Sequence, residues 1–149
     1  MSKQNNCSDR QVKLFLVDDD ALFLKMLEIE FLQHTGFCIE TYATGKLCIG
    51  HLYRQPDVVI LDYRLDGVDK NAMNGIETLD KIKMYNEEIP VVMLSSQDSI
   101  DVAVNCLHHF AFDYVVKNET AFIRLQKTIA AILLYKKMEG ELSWYMERM

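Results

Sequence analysis

No apolar run in this sequence reaches the roughly 20 residues that span a bilayer, which excludes a membrane-crossing helix. The N-terminus, MSKQNNCSDRQ, is polar and lacks the apolar stretch of a signal peptide, so the expected location is the cytoplasm. Basic residues are not in excess either. A net charge of −6 and a pI near 5.2 argue against general affinity for nucleic acid or anionic membranes. Cys7, Cys38, Cys48 and Cys106 are scattered with no C-x-x-C spacing, and a cytosolic chain of 149 residues does not need disulfides, so four buried free thiols are expected. His34, His51, His108 and His109 show no metal-ligand spacing and read as surface or half-buried side chains.

What is present is the profile of one globular domain: half of the residues are hydrophobic and about a quarter charged. Five short apolar runs stand out: VKLFLV (12–17), FCIETY (37–42), DVVIL (57–61), PVVML (90–94) and DYVV (113–116). The first, third and fourth are almost continuously apolar, as strands covered on both faces should be. The second alternates more, which suits a position near the sheet edge. Between them lie helical patterns. Residues 20–34 place Leu24, Leu27, Phe31 and Leu32 on one face; residues 74–85 do the same with Ile76, Leu79 and Ile82. Residues 98–109 group Ile100, Ala103, Val104 and Leu107, a shorter helix over 44–53 carries Leu47 and Leu52, and the longest helix begins near 119. Strand and helix thus alternate five times, which predicts an α/β fold: a five-stranded parallel sheet with right-handed crossovers and helices on both faces, a three-layer sandwich.

In such sheets the functional crevice lies beyond the carboxyl ends of the strands. Strand one runs straight into Asp18, Asp19 and Asp20. Unit like charges about 4 Å apart repel by roughly 1 kcal/mol in water and roughly 4 kcal/mol near a protein surface, so a triplet at a strand end calls for a cation. Asp62 follows strand three, Ser95 and Ser96 follow strand four, and Lys117 ends strand five. Any of these alone has a plain reading: Asp20 or Ser95 as a helix N-cap, Lys117 as solvated surface. Together they place carboxylates, a hydroxyl and an amine around one crevice. Acids from strands one and three make an oxygen-rich hole suited to Mg²⁺, a hard cation that keeps several waters.

The constellation resembles the receiver domain of two-component response regulators, with similarity from about Val12 to Leu134. The segments PDVVILD (56–62) and IPVVMLS (89–95) read like the third and fourth strands of that family. The resemblance implies a flavodoxin-like sheet of strand order 2-1-3-4-5. It implies that Asp62 accepts a phosphoryl group from a sensor histidine kinase or phosphotransfer protein, in a Mg²⁺-dependent reaction. Asp18 and Asp19 match the acidic pair, Asp19 as the direct ligand and Asp18 acting through metal-bound water; Asp62 and the backbone carbonyl of Arg64 complete the expected metal set. Lys117 would pair with one phosphoryl oxygen and Ser95 would donate to another. Ser95 and Tyr114 match the switch pair, which would alter the face formed by the fourth helix, fifth strand and last helix and so address a downstream protein target. The implied role is a signalling switch rather than an enzyme.

The sequence departs from that family in several places. The loop DYRLDGVDKNAMNG (62–75) lacks the usual Met-Pro pair and reaches Gly75 several residues late; Gly67, Asp69, Lys70 and Asn71 are turn formers, so the addition should bulge at the rim of the site. Asn118 replaces a proline that often follows a cis bond, which leaves the isomer of Lys117–Asn118 open. Phe110 stands in place of a common glycine, so its turn must avoid positive φ or accept strain. Arg64 and Gln97 occupy variable positions near the path of the attacking water.

Residues 1–11 are expected to be loosely ordered, 12–134 to form the receiver unit, and 135–149 to extend the last helix. Ala131, Tyr135, Met138, Leu142, Tyr145 and Met149 form a short heptad stripe, a possible homodimer contact alongside the face of the fourth helix, fifth strand and last helix. If the chain is complete, no DNA-binding module follows Met149, and output by protein contact, without nucleic acid or membrane, is expected. Two other functions compete. A haloacid-dehalogenase-type phosphatase would use the D-x-D of VDDDAL, but needs an acidic pair after the lysine where only Glu119 stands. A receiver-like scaffold that is never phosphorylated would not need the complete acid, hydroxyl and lysine set.

Overall fold

The computed structural model describes residues 7, 8, 11–34 and 36–148. Five strands, β1 (Val12–Val17), β2 (Phe37–Tyr42), β3 (Val58–Asp62), β4 (Val91–Ser95) and β5 (Asp113–Val116), pair in parallel in the order β2-β1-β3-β4-β5. The expected strands and their order are present, with β3 and β4 each displaced by one residue. The helices are α1 (Ala21–Leu32), α2 (Gly45–Gly50), α3 (Gly75–Tyr85), α4 (Ile100–His108) and α5 (Ala121–Glu147), with a 3-10 turn at Leu52–Arg54.

Alternation along the strands sorts the core into two layers. Phe15, Val17, Val59, Leu61, Val91 and Met93 face one side and pack with Cys48 of α2, Leu79 and Ile82 of α3 and Cys106 of α4. Leu14, Leu16, Ile60, Val92, Leu94 and Val115 face the other and pack with Leu27 and Phe31 of α1 and Leu125, Ile129 and Ile132 of α5. All five residues of β3 and of β4 are buried, as central strands of a doubly covered sheet must be.

Helix starts follow local chemistry. The Asp20 carboxylate accepts from the N–H groups of Leu22 and Phe23 and caps α1, as its plain reading held. Asn74 and Glu77 form a reciprocal capping box on α3. Ser99, and not Ser95, caps α4, which leaves the Ser95 side chain to the site.

The structure shows which helix sides are covered, and it corrects the expectation of four free thiols. Ile100, Val104 and Leu107 lie on the exposed side of α4, which turns Cys106 and Val102 inward, and Leu32 is exposed at the end of α1. Leu47 of α2 is also exposed, whereas Leu52 of the 3-10 turn is buried. Cys7 and Cys38 are joined as a disulfide, while Cys48 and Cys106 are free and buried. Parallel pairing of Val12 with Phe37 carries the segment before β1 alongside the start of β2, which brings two cysteines 31 residues apart within 5.5 Å at Cα.

Phe110 takes the strained option, with φ 71°. No peptide bond among the described residues is cis, so Lys117–Asn118 is trans. The expectation of a loose segment over 1–11 falls mainly on residues outside those described, as does Met149 at the end of the heptad stripe.

Candidate phosphoacceptor and metal site

The site is built at the carboxyl ends of β1, β3 and β5. Parallel register sets Asp62 opposite Leu94 on β4, and β5 delivers Lys117 one residue past its last paired residue, with the Lys117 N–H donating to the Ser95 carbonyl at 2.8 Å. Asp18 follows the last residue of β1, and its N–H donates to the Tyr42 carbonyl at 3.1 Å. The glycine that opens α3 allows this close packing: a Cβ on Gly75 would stand 2.4 Å from the Asp62 carbonyl oxygen and 2.6 Å from that of Tyr63.

Asp18 and Asp62 are buried, and each keeps only a few per cent of its surface exposed. Lys117 Nζ lies 2.7 Å from Asp18 Oδ2 and 3.4 Å from Asp62 Oδ2. The other oxygens are held by main chain: Asp18 Oδ1 accepts from Asp20 N–H at 2.9 Å, and Asp62 Oδ1 from Arg64 N–H at 3.3 Å. Asp19, half-buried, accepts from Gly67 and Val68 N–H groups at 3.0 and 3.2 Å through Oδ2. The Lys117 ammonium also rests 4.5 Å from the centroid of the Phe23 ring, a cation–π contact that fixes the side chain.

The electrostatics follow from this crowding. Burial, then the charge of the neighbouring Asp18 carboxylate, push the Asp62 carboxyl well above the usual carboxylate range, and Lys117 only partly offsets them. Burial pulls the Lys117 ammonium down, yet Asp18 and Asp62 outweigh it and hold the group above the ordinary lysine value.

Three buried or half-buried acids against one lysine leave an excess of negative charge. Their ligand atoms all lie within 4.8 Å of one another, and no hydrogen bond of standard geometry reaches Asp18 Oδ2, whose partner is the ammonium alone among the described residues. An all-oxygen donor set of this kind fits a hard divalent cation such as Mg²⁺.

Ser95 ends β4 and is buried; its Oγ accepts from Gln97 N–H at 3.1 Å. The Tyr114 hydroxyl on β5 donates to the Gln97 carbonyl, tying the aromatic to the loop after Ser95. A cavity of about 520 Å³ opens beside the site, lined by Tyr63, Arg64, Asp66, Ser95, Gln97 and Asn105 among others. The structure therefore brings Asp18, Asp19, Asp62 and Lys117 into direct register, with Ser95 and Arg64 on the adjoining cavity wall. The Gly67 and Val68 clamp on Asp19 and the Phe23 shelf under Lys117 escaped the sequence: backbone donors carry no side-chain signature, and a helix phenylalanine reads as ordinary core.

Comparison with known proteins settles the family. The model of the response regulator receiver domain matches residues 14–130. This chain belongs to that family. It is a receiver domain of two-component response regulators, and such domains are signalling modules. Among curated relatives, the transcriptional regulatory protein ZraR of Klebsiella oxytoca is 31% identical over 132 residues, covering 88% of this chain and 28% of ZraR. The probable transcriptional regulatory protein TcrX of Mycobacterium tuberculosis is 32% identical over 107 residues, or 71% of this chain and 43% of TcrX. This receiver chain thus spans well under half the length of these relatives. Among solved structures, NtrX from Brucella abortus superposes with a TM-score of 0.77 at 27% identity, covering 92% of this chain and 30% of that one. A CheY-like receiver from Methanospirillum hungatei shares the fold over 98% of its length, with a TM-score of 0.72 at 21% identity. No helix among the described residues is long and apolar enough to cross a membrane.

Proposed function

We propose that Asp62 is the phosphoacceptor, taking a phosphoryl group from the phosphohistidine of a sensor histidine kinase or phosphotransfer protein. The observation that carries this reading is the position of Asp62: buried at the end of the central strand, beside Asp18 and within 3.4 Å of Lys117. An Asp62 carboxylate oxygen attacks phosphorus, the phosphorus–nitrogen bond of the donor breaks, and the departing imidazole takes up a proton. Asp18, Asp19 and Asp62, with the backbone carbonyl of Arg64, would hold Mg²⁺. The ion would supply the positive charge that lets a carboxylate and a phosphoryl group approach. Lys117 moves from its pairing with Asp18 and Asp62 toward a phosphoryl oxygen, and the Ser95 hydroxyl donates to another.

Output rests on the same groups. Drawing Ser95 inward moves the loop that holds Gln97, and with it the hydroxyl partner of Tyr114. The face so altered comprises α4, β5 and α5, where Ile100, Val104 and Leu107 stand exposed for a downstream protein target. The receiver unit is taken as residues 12–134 and 135–149 as an extension of α5; a second copy of the chain could dock on that extension or on the α4-β5-α5 face. With a net charge of −6 the domain acts as a switch in the cytoplasm and does not itself touch nucleic acid or membrane.

The test is intact-mass measurement after treatment with acetyl phosphate and Mg²⁺. Wild type should gain one phosphoryl group and Asp62→Asn none. Equal labelling of both would reject Asp62, and no labelling of either would favour a scaffold that is never phosphorylated.

A further inference from the structure

The segment between β3 and α3 is pinned at both ends: Leu65 is fully buried in the core, and Asn74 caps α3. Between these anchors the chain passes beside Asp19, steadied by Asp69, whose side chain accepts from Asn71 N–H at 3.0 Å and whose carbonyl accepts from Ala72 N–H at 3.0 Å. There Gly67 and Val68 aim their N–H groups at one oxygen of Asp19. Val68 is 82% exposed, so burial of its side chain does not account for the placement. A Cβ at Gly67 would stand 3.1 Å from Asp19 Oδ2, closer than an ordinary contact, so a side chain there would press on the carboxylate.

Two N–H groups fill the acceptor capacity of Oδ2. Oδ1 of the same carboxylate receives no hydrogen bond from the described residues. We propose that the backbone N–H groups of Gly67 and Val68 are positioning groups for the divalent cation, clamping Asp19 by Oδ2 so that Oδ1 is presented to the ion. This rests on the reading that the acidic cluster binds Mg²⁺. Two effects oppose each other in such a clamp. Donation draws charge from the carboxylate and weakens it as a ligand, whereas fixing its orientation removes the entropy cost of ordering it when the ion arrives. Outer partners of metal ligands generally raise affinity, by about 10–100-fold, so orientation wins.

The measurement is calorimetric titration of the metal-free protein with Mg²⁺ alone, at fixed ionic strength. Val68→Pro removes one N–H of the clamp, and Val68→Ala keeps it while deleting the exposed side chain. A backbone ester in place of the amide at residue 68 removes the N–H with no change of side chain, and guards against loop distortion by proline. Val68→Pro and the ester should bind Mg²⁺ about 10-fold more weakly, and Val68→Ala should bind as wild type does. The Gly67 and Val68 amide protons of wild type should stay protected from exchange at saturating Mg²⁺. Wild-type affinity in the ester variant, or tighter binding, would overturn the clamp while leaving the metal site intact. Absence of Mg²⁺ binding by wild type would remove both.

Discussion

Lys117 stands closer to Asp18 than to Asp62, with its ammonium 2.7 Å from the first carboxylate and 3.4 Å from the second. The lysine is thus the nearest counter-charge of a buried acid that follows β1, and its pairing with Asp62 is the longer of the two. Replacing Lys117 with Met should destabilise the metal-free protein by about 3 kcal/mol, because a buried carboxylate loses its ion-pair partner. Urea denaturation with and without Mg²⁺ checks this, and saturating Mg²⁺ should recover part of the loss. Acetyl phosphate labelling of the variant should be strongly slowed.

The raised pKa of Asp62 sets a pH dependence. A carboxyl whose pKa is higher folded than unfolded contributes stability below its unfolded value, and that contribution is lost as pH rises through the folded value. Metal-free wild type should therefore lose melting temperature as pH climbs above the ordinary carboxylate range. Asp62→Asn should flatten the decline. Each kcal/mol of relieved repulsion corresponds to a Tm rise of about 2–4 °C in a domain of this size. Thermal scans across pH for the two proteins, each with and without Mg²⁺, decide the matter: a flat wild-type profile would contradict the buried repulsion.

Phe110 holds a left-handed backbone, φ 71°, with 76% of its surface exposed. Phe110→Gly should stabilise the fold by about 1 kcal/mol, since glycine adopts this conformation without the Cβ clash. Equilibrium unfolding in urea measures it directly, and an unchanged midpoint would show the strain to be negligible.

Gly75→Ala should have the opposite effect. Its Cβ would meet backbone atoms of Asp62 and Tyr63 at 2.4–2.7 Å, and main chain cannot swing aside as a side chain can. The expected outcome is a destabilisation of about 1–3 kcal/mol together with weaker Mg²⁺ binding, since the carbonyl end of β3 must shift. Unfolding and titration on the same sample would show the two effects together.

The parts of this molecule visible in its sequence are those where side-chain type and spacing carry the physics. Continuous apolar runs marked β3 and β4 because both faces of each strand are covered, and acids at strand ends marked the crevice because nothing else tolerates them there. The α4 stripe was legible only in part, for an equally physical reason. Periodicity shows that Ile100, Val104 and Leu107 share a side but not whether that side is covered, and the side turned inward carries the smaller Cys106 and Val102. The clamp on Asp19 could not be read because peptide N–H groups are common to nearly every residue. The Cys7–Cys38 bond depends on strand register, which a scattered cysteine pattern does not encode.

The last helix is anchored along only part of its length. Its buried residues end at Ile132, with Leu133 half-buried; beyond them the Tyr135 ring meets that of Phe112, Lys136 reaches the Asp57 carbonyl, and every side chain from Lys137 to Glu147 is exposed. Eleven residues at 1.5 Å each make a free arm of about 16 Å. A tilt of about 10° at its root would sweep the tip through about 3 Å, so rearrangements around β5 too small to matter locally are geometrically amplified at the far end.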